Sequence, residues 1–255
     1  MNAASNALKE SEKIKMKIII NGANGKMGHM ISEMAGEENI AARVDLTGGD
    51  CLKSLDEFNG SADCVIDFSN HKAVENLLNY CVKKNLPVLI ASTGHTDDEI
   101  KKIHDAAKKI PVFFSPNMSI GVALVADLAE RVTKVFGDCD IELIETHHNQ
   151  KLDVPSGTAL MLANRIKDAK PDLVFNVGRH ENGKRENNEI GIHSLRYGSE
   201  VGTHEIIFSN GLETITLKHD AKNRALFARG ALSAVEWLVN KGAGLYTMKE
   251  FLNDK

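Results

Sequence analysis

Beginning at Lys17, the segment "KIIINGANGKMGHM" runs a β-branched stretch straight into glycines at 22, 25 and 28, and from there into a helical pattern. A strand this apolar must be buried on both faces, and one that passes directly into a helix reaches its next neighbour by a crossover. The alternation then recurs. "ADCVIDFS" precedes a helical pattern from Lys72 to Lys83, "PVLIAST" precedes Asp97 to Lys109, and "PVFFS" precedes Ile120 to Val135. Short apolar strands alternating with amphipathic helices predict an α/β domain with a doubly wound parallel sheet.

After about Ser119 the rhythm changes. "DIELIETHH" (Asp140 to His148) reads as a strand and "GTALMLANRIK" (Gly157 to Lys167) as a helix. The longer extended segments "IGIHSLRYG", "THEIIFSN" and "ETITLKHDA" follow, with glycines or Asn-Gly at the turns. Strands joined by turns predict a mixed or antiparallel sheet, hence a second α+β domain over 119–227. The helical pattern in "RALFARGALSAVEWLVNK" is expected to return to the first domain, assigning it 16–118 and 228–255. Residues 1–15, small and polar without apolar periodicity, read as a loose tail or a cloning remnant.

The partner class is narrowed by composition. With 255 residues, 42% of them hydrophobic, the chain can bury a sizeable core. The formal net charge of −4 argues against a nucleic-acid or membrane surface as the main partner and favours a small metabolite. No apolar run approaches the roughly 20 residues that cross a bilayer, and no secretory core is visible, so a cytosolic protein is expected. Cys51, Cys64, Cys81 and Cys139 form no CxxC pair and read as buried packing thiols.

The glycine turn is the first functional candidate. Gly22, Gly25 and Gly28 allow a tight bend and close backbone approach to a pyrophosphate at a helix N-terminus. The spacing GxxGxxG is not the commoner GxGxxG. However, Asp45 ends the next strand about 20 residues on, where a dinucleotide site places an acid against ribose hydroxyls. "ASTG" (Ala91 to Gly94) and "SPNMS" (Ser115 to Ser119) fall at later strand ends, where the ligand edge of such a sheet lies, or serve as plain loops.

The second candidate is "IETHHNQKLDVPSGTA". Its strand delivers His147 and His148, Lys151 adds charge, and a helix begins at Ser156, Gly157 and Thr158. Open amides there make an anion pocket, and the two hydroxyls can cap the helix or bind ligand. Histidine beside such a pocket suits a carboxylate substrate that needs a proton. The plainer alternative is a capped helix preceded by two ordinary histidines. Adjacent strand residues face opposite ways, so His147 and His148 are poorly placed to chelate together and no metal is expected. His95, His104, His193 and His204 are expected on solvated faces. Arg224 and His219 read as surface ion pairs or as contacts to a substrate carboxylate.

"GANGKMG", the Glu-x-His-His-x-x-Lys of Glu145 to Lys151 and the Asp-x-Pro-Ser-Gly-Thr-Ala of Asp153 to Ala159 together resemble the 4-hydroxy-tetrahydrodipicolinate (dihydrodipicolinate) reductases of diaminopimelate and lysine biosynthesis. The resemblance spans essentially everything from Lys17 onward, including "VIDFS", "STG" and "RALFARGALSAVEWL". It implies a Rossmann-type cofactor domain, a substrate and oligomerisation domain, a homotetramer, and NADH or NADPH as hydride source. Carried over, it makes His147 the proton donor and Lys151 its assistant. His148, Gly157 and Thr158, with Ser156 beside them, become the substrate contacts. Gly22, Ala23, Asn24, Gly25, Lys26, Met27, Gly28, Asp45, Ala91, Ser92, Thr93, Ser115, Pro116, Asn117 and Met118 become the cofactor contacts. Ala91 and Ser92 stand where the family often has Gly-Thr, which keeps main-chain contacts and puts a hydroxyl contact from Ser92 in doubt.

Two other functions fit the domain plan: an aspartate-semialdehyde type of dehydrogenase, which needs an activated cysteine, and a nicotinamide-binding sensor without turnover. Asp45 is followed by Leu46, Thr47, Gly48 and Gly49, without the arginine that pairs with a 2′-phosphate in some relatives. Lys26 and Arg43 are the remaining sources of positive charge. NADH is therefore expected to serve at least as well as NADPH.

Overall fold

The computed structural model describes residues 16–255; the expected N-terminal tail lies outside the described residues. Strand β1 (Ile18–Asn21) is buried along its whole length, as are β3 (Cys64–Asp67) and β4 (Val88–Ile90). With β2 (Ile40–Val44), β5 (Pro111–Phe114) and β11 (Gly244–Tyr246) they form one sheet in the order β11-β5-β4-β3-β1-β2, parallel throughout. The crossovers are α1 (Lys26–Ala35), α2 (Val74–Lys84) and α3 (Asp97–Ala107). The chain leaves β1 toward β2, then returns to build β3 on the other side. The strand order therefore reverses at β1, and in such sheets ligands bind beyond the strand ends at that point.

Local chemistry sets several boundaries. Asn70 accepts the Lys72 amide and caps a 3₁₀ turn, His71–Ala73, so α2 starts at Val74 and not at Lys72. Helix α3 opens with a capping box between Thr96 and Glu99. It stops at Ala107, short of the expected Lys109, because Pro111 disfavours helical backbone at Ile110. Helix α6 (Ala225–Leu238) carries Trp237, whose ring lies 6.3 Å from Phe113 of β5 and 5.7 Å from Phe251 of α7 (Met248–Asn253).

The described chain divides into two compact units, one comprising the segment up to Met118 together with Phe227–Lys255, the other Ser119–Leu226. In the second, β6 (Asp140–His147) is the central strand of a mixed sheet ordered β10-β9-β6-β8-β7. It runs parallel to β8 (Glu189–Arg196) and antiparallel to β9 (Gly202–Ser209), and β9 pairs antiparallel with β10 (Thr214–Ala221). The short edge strand β7 (Val174–Val177) was not expected; its residues are largely exposed and show no apolar alternation. Helices α4 (Ile120–Phe136) and α5 (Gly157–Ala169) cover one face. Ala159, Leu162, Ala163 and Ile166 bury against Ile141, Leu143, Ile190, Ile206 and Phe208. Truncating one such large side chain to alanine typically costs about 2–5 kcal/mol, so this layer holds the end of β6 firmly.

Register then decides which side chains meet. Glu145 stands opposite Ser194 on β8 and His204 on β9, while His147 stands opposite Arg196.

Candidate active site

In the first unit the turn after β1 is shaped for close approach. The amides of Gly22 and Ala23 both donate to the Val44 carbonyl, 2.9 and 3.1 Å away, tying the turn to the end of β2. A Cβ on Gly22 would lie 2.8 Å from the Ser69 backbone, and one on Gly28 would lie 2.3 Å from the Gly22 carbonyl oxygen. Only glycine fits at either place. Gly25 caps α1 without a side chain, which leaves the first-turn amides open for an anion.

Asp45 follows β2 directly. Its Oδ1 accepts the Thr47 amide at 3.0 Å and hydroxyl at 2.7 Å, and its Oδ2 accepts the Asn24 amide at 3.1 Å. The Thr47 hydroxyl chiefly, with the Thr47 and Asn24 amides, holds the Asp45 carboxyl below the usual carboxylate range despite partial burial. A glycine cradle, open helix amides and an ionised acid at the next strand end fit a dinucleotide. Of the expected positive charges, Lys26 is exposed, but Arg43 is committed to Glu37 at 2.5 Å and to the Ser32 hydroxyl.

The later strand ends are less available. The Ser92 hydroxyl donates to Asp67 Oδ2 at 2.7 Å and lies 3.2 Å from His95 Nε2. Asp67, buried at the end of β3, also accepts Asn21 at 2.7 Å and the Ser69 hydroxyl. Asp67 therefore fastens the ends of β1, β3 and β4 together. A single acid ending the apolar run of "VIDFS" was the sequence signal for it. Ala91 and Met118 are buried, the Ser115 hydroxyl is turned onto the Asn117 carbonyl, and Thr93 and Pro116 are exposed.

The histidine cluster of the second unit is built on β6. Glu145 and His147 lie two residues apart on one strand face, and His147 Nδ1 makes a short hydrogen bond to Glu145 Oε2. Arg196 grips the same carboxylate with both terminal nitrogens, Nη1 to Oε2 at 2.9 Å and Nη2 to Oε1 at 2.7 Å. Burial alone would raise the Glu145 carboxyl; the bonds from His147 and Arg196 instead hold it far below the usual range. The Ser156 amide donates to Oε1 at 3.2 Å, so the start of α5 is tied to the same group. The Ser156 hydroxyl caps Ala159 and meets His204 Nε2 at 3.2 Å, and is thus spoken for. Gly157 is exposed with open space around it, and Thr158 is half-buried.

The loop after β6 is strapped to the loop after β8. The His148 amide donates to the Glu200 carbonyl and the Tyr197 amide to that of His147. Burial first, then the positive charge of Arg224, lowers the His148 pKa. Lys151 pairs with Asp153 at 2.8 Å.

Family models described as the N-terminus and C-terminus of dihydrodipicolinate reductase match residues 16–118 and 121–252. The chain belongs to the dihydrodipicolinate reductase family. A 4-hydroxy-tetrahydrodipicolinate reductase of Clostridium novyi is 45% identical over 94% of this chain and 99% of that protein. Another, from Caldanaerobacter subterraneus subsp. tengcongensis, is 41% identical over 93% and 98%. A solved dipicolinate-bound dihydrodipicolinate reductase from Paenisporosarcina sp. TG-14 superposes with a TM-score of 0.76 at 26% identity, covering 92% of this chain and 98% of that one. Aspartate dehydrogenase from Thermotoga maritima, at 15% identity and a TM-score of 0.53, shares the fold. The family is one of NAD(P)H-dependent oxidoreductases, serving diaminopimelate and lysine biosynthesis.

Several expectations need correction against this geometry. His204 is not on a solvated face but buried, ring to ring with His147 at 5.2 Å, and burial chiefly pushes its pKa down to about 3. The His95 side chain is only 2% exposed and stacks edge-on against Phe114 at 5.4 Å. His193 is half-buried and bonds Glu142 at 2.8 Å; His104 is exposed as expected. His219 lies 3.4 Å from the Ser119 hydroxyl within its unit, and Arg224 is exposed without an ion-pair partner among the described residues. Cys51 is only half-buried, whereas Cys64, Cys81 and Cys139 are buried, and desolvation raises all four thiols. None is set up as the nucleophile that a semialdehyde dehydrogenase requires.

Glu145, His147 and His204 bring ligand-type atoms within 4.8 Å of one another. Arg196 already occupies both oxygens of that carboxylate with a fixed positive charge. Glu145, Arg196 and His204 were missed as site residues. Only Glu145 had left a trace, as the first letter of the motif.

Proposed function

We propose that this reductase uses His147 as proton donor and Lys151 as the positive charge that seats a substrate carboxylate. One observation carries the reading: the Ser156 amide and the His147 ring are bonded to the two oxygens of one buried carboxylate, Glu145, so proton donor and anion-binding helix start share a mount. The substrate class comes from the relatives, named as reductases of 4-hydroxy-tetrahydrodipicolinate, and from the dipicolinate held by the Paenisporosarcina enzyme.

A nicotinamide held on the first unit would supply the hydride that reduces the imine of a cyclic dicarboxylate. The chain's own residues do the rest. Gly22, Ala23, Asn24 and Gly25 would give a pyrophosphate a close-fitting turn, and the Lys26, Met27 and Gly28 amides at the helix start would hold it. Asp45 would take the ribose hydroxyls, and Ala91, Ser92, Thr93, Ser115, Pro116, Asn117 and Met118 would line the rest of the cofactor site at the later strand ends. Lys151, His148 and the Gly157 and Thr158 backbone hold the carboxylates, with Ser156 acting through its cap. Holding the ring in one pose removes orientational entropy from the barrier. A ring carbon left electron-rich by hydride addition then takes its proton from His147.

The homotetramer rests on the family resemblance; NADH used at least as well as NADPH rests on Asp45 and on the lack of an arginine after it; a cytoplasmic location rests on the lack of a long apolar run. Among the described residues no helix is long and apolar enough to cross a membrane. The test is kinetic. His147→Ala and Lys151→Ala should each lower kcat about 10²- to 10⁴-fold while NADH affinity, read by fluorescence titration, stays put. Turnover at the wild-type rate in either variant would remove that residue from the mechanism.

A further inference from the structure

Glu145 has no solvent exposure, yet every acceptor site on its carboxylate is used. Oε1 receives the Ser156 amide and Arg196 Nη2; Oε2 receives Arg196 Nη1 and His147 Nδ1. Two oxygens offer about four lone-pair positions, so nothing is left over for solvent or ligand. A charge buried this deeply persists only when paired and fully hydrogen-bonded, and the bidentate guanidinium is the strongest partner available for it.

The partners are themselves fixed. Arg196 Nη1 also donates to the Leu195 carbonyl and Nη2 to that of Asp153, both at 2.8 Å. Strand pairing, not a flexible loop, brings the three groups together: Glu145 and His147 share one face of β6, and Arg196 lies across from His147 on β8. On the far side of the ring His204 packs edge-on. Gly202 lies so close that a Cβ there would be 2.9 Å from Nε2. The imidazole therefore has one orientation, with Nδ1 toward the carboxylate.

An ionised carboxylate can only accept. Whether His147 is neutral or cationic, the nitrogen facing Glu145 must carry a hydrogen, and the proton that comes and goes resides on Nε2. We propose that Glu145, clamped by Arg196, is the positioning residue of this site: it holds His147 in the Nδ1-protonated form and aims the transferable proton on Nε2. Arg196 is the second positioning residue, acting through Glu145. This rests on His147 being the proton donor and adds how it is held ready.

The pH behaviour of His147 answers to every charged or titratable group around it. These are Glu145 on the same strand, Arg196 from β8, His204 from β9, and His148, Lys151 and Asp153 from the following loop. Arg224 and His219 lie behind them. Of the two carboxylates there, Asp153 is paired with Lys151, and Glu145 is the one in contact with the ring.

The informative substitution is Glu145→Gln. Its amide oxygen can still accept Ser156 and Arg196, but its NH₂ group faces Nδ1 as a donor and forces the ring proton onto Nε2. Buried carboxylate–imidazole pairs elsewhere lose activity through this exchange of tautomer without loss of fold. The experiment is ¹⁵N NMR of imidazole-labelled protein without substrate, alongside steady-state kinetics across pH. We expect Nδ1–H in the wild type and Nε2–H in Glu145→Gln. We also expect kcat lower by about 100-fold or more, KM and NADH affinity within about twofold, and the ascending or descending limb of the kcat–pH profile displaced relative to the wild type. In a His147→Ala background the same change should cost nothing further. Arg196→Lys keeps a charge but loses the bidentate grip; it should retain Nδ1–H and lose about 10-fold in kcat, which serves if Glu145→Gln folds poorly.

The proposal is overturned by an Nε2–H ring in the wild type, by wild-type kcat in Glu145→Gln, or by additive losses in the double variant. An active His147→Ala enzyme would instead sink the proton-donor reading, and with it the catalytic purpose of the clamp. The NMR result separates the two cases because it is read without turnover.

Discussion

The ammonium of Lys151 lies 2.8 Å from Asp153 Oδ1, so the charge assigned to a substrate carboxylate is already answered by a carboxylate of the same loop. Lys151 chiefly, helped by the Gly157 amide, holds the Asp153 carboxyl below its ordinary range. A dicarboxylate that binds Lys151 and the start of α5 must take the place of Asp153. Exposed pairs of this kind are worth less than about 1 kcal/mol. Asp153→Asn should therefore lower KM for the dicarboxylate about two- to fivefold with kcat unchanged. A raised KM in steady-state assays would show that Asp153 shapes the subsite instead of competing for it.

Gly202 predicts a second effect at the same centre. Its missing Cβ leaves room for His147 Nε2, and the ring cannot retreat without stretching its bond to Glu145. Gly202→Ala should displace the ring by a few tenths of an ångström and reduce kcat about 10-fold, since small misplacements of reacting groups are costly. Nucleotide binding, which belongs to the other unit, should not respond. Unaltered kcat in folded Gly202→Ala protein would mean that the ring can swing aside freely.

Cofactor choice follows from Asp45. Thr47 and Asn24 keep its carboxylate ionised and in place, where it would accept ribose hydroxyls and repel a 2′-phosphate. Arg43 is held by Glu37, leaving the exposed Lys26 as the nearby cation. Kinetics with both cofactors should give kcat/KM for NADH at least equal to that for NADPH at low and at physiological salt. A tenfold NADPH preference that persists in salt would defeat the argument.

The buried groups around His147 set a pH dependence of stability. His204 titrates near 6.5 when unfolded and at about 3 when folded, because burial disfavours its cation. Its stabilising effect is present above pH 6.5 and is lost as pH falls from 6.5 toward 3, since only the unfolded chain takes up the proton. One such group gives a slope of about 1.4 kcal/mol per pH unit at most. Glu145, with its folded pKa depressed, adds a loss that begins only below about 4.5. Hydrogen exchange of the β6 and β9 amides should show protection declining from pH 6 to 5 in the wild type and declining less steeply over that window in His204→Asn, where His148 and His219, whose pKa values are also lowered, remain. A decline of equal slope in both proteins would assign the effect to another group.

Much of the architecture was legible beforehand because it depends on near neighbours in the chain. The run Ile18–Ile20 before Gly22 requires a buried strand and a tight turn, and the hydrogen-bonding needs of Ser156 and Thr96 mark helix starts wherever they occur. These are interactions over a few residues, so period and turn chemistry expose them. His147 and Lys151 stood out as candidates for the same reason, as letters of one short motif. What the chain order could not show was register. Glu145 meets Arg196 across 51 positions and His204 across 59, and Asp67 meets Ser92 across 25, through pairings fixed only when helices bury one particular face of each sheet. A slip of one residue would turn Glu145 away from Arg196. The sequence by itself therefore determined which elements form and which short motifs carry chemistry. Tertiary structure alone decided that His204 is buried beside His147, that Ser92 faces Asp67, and that one carboxylate binds His147 on one side and the start of α5 on the other.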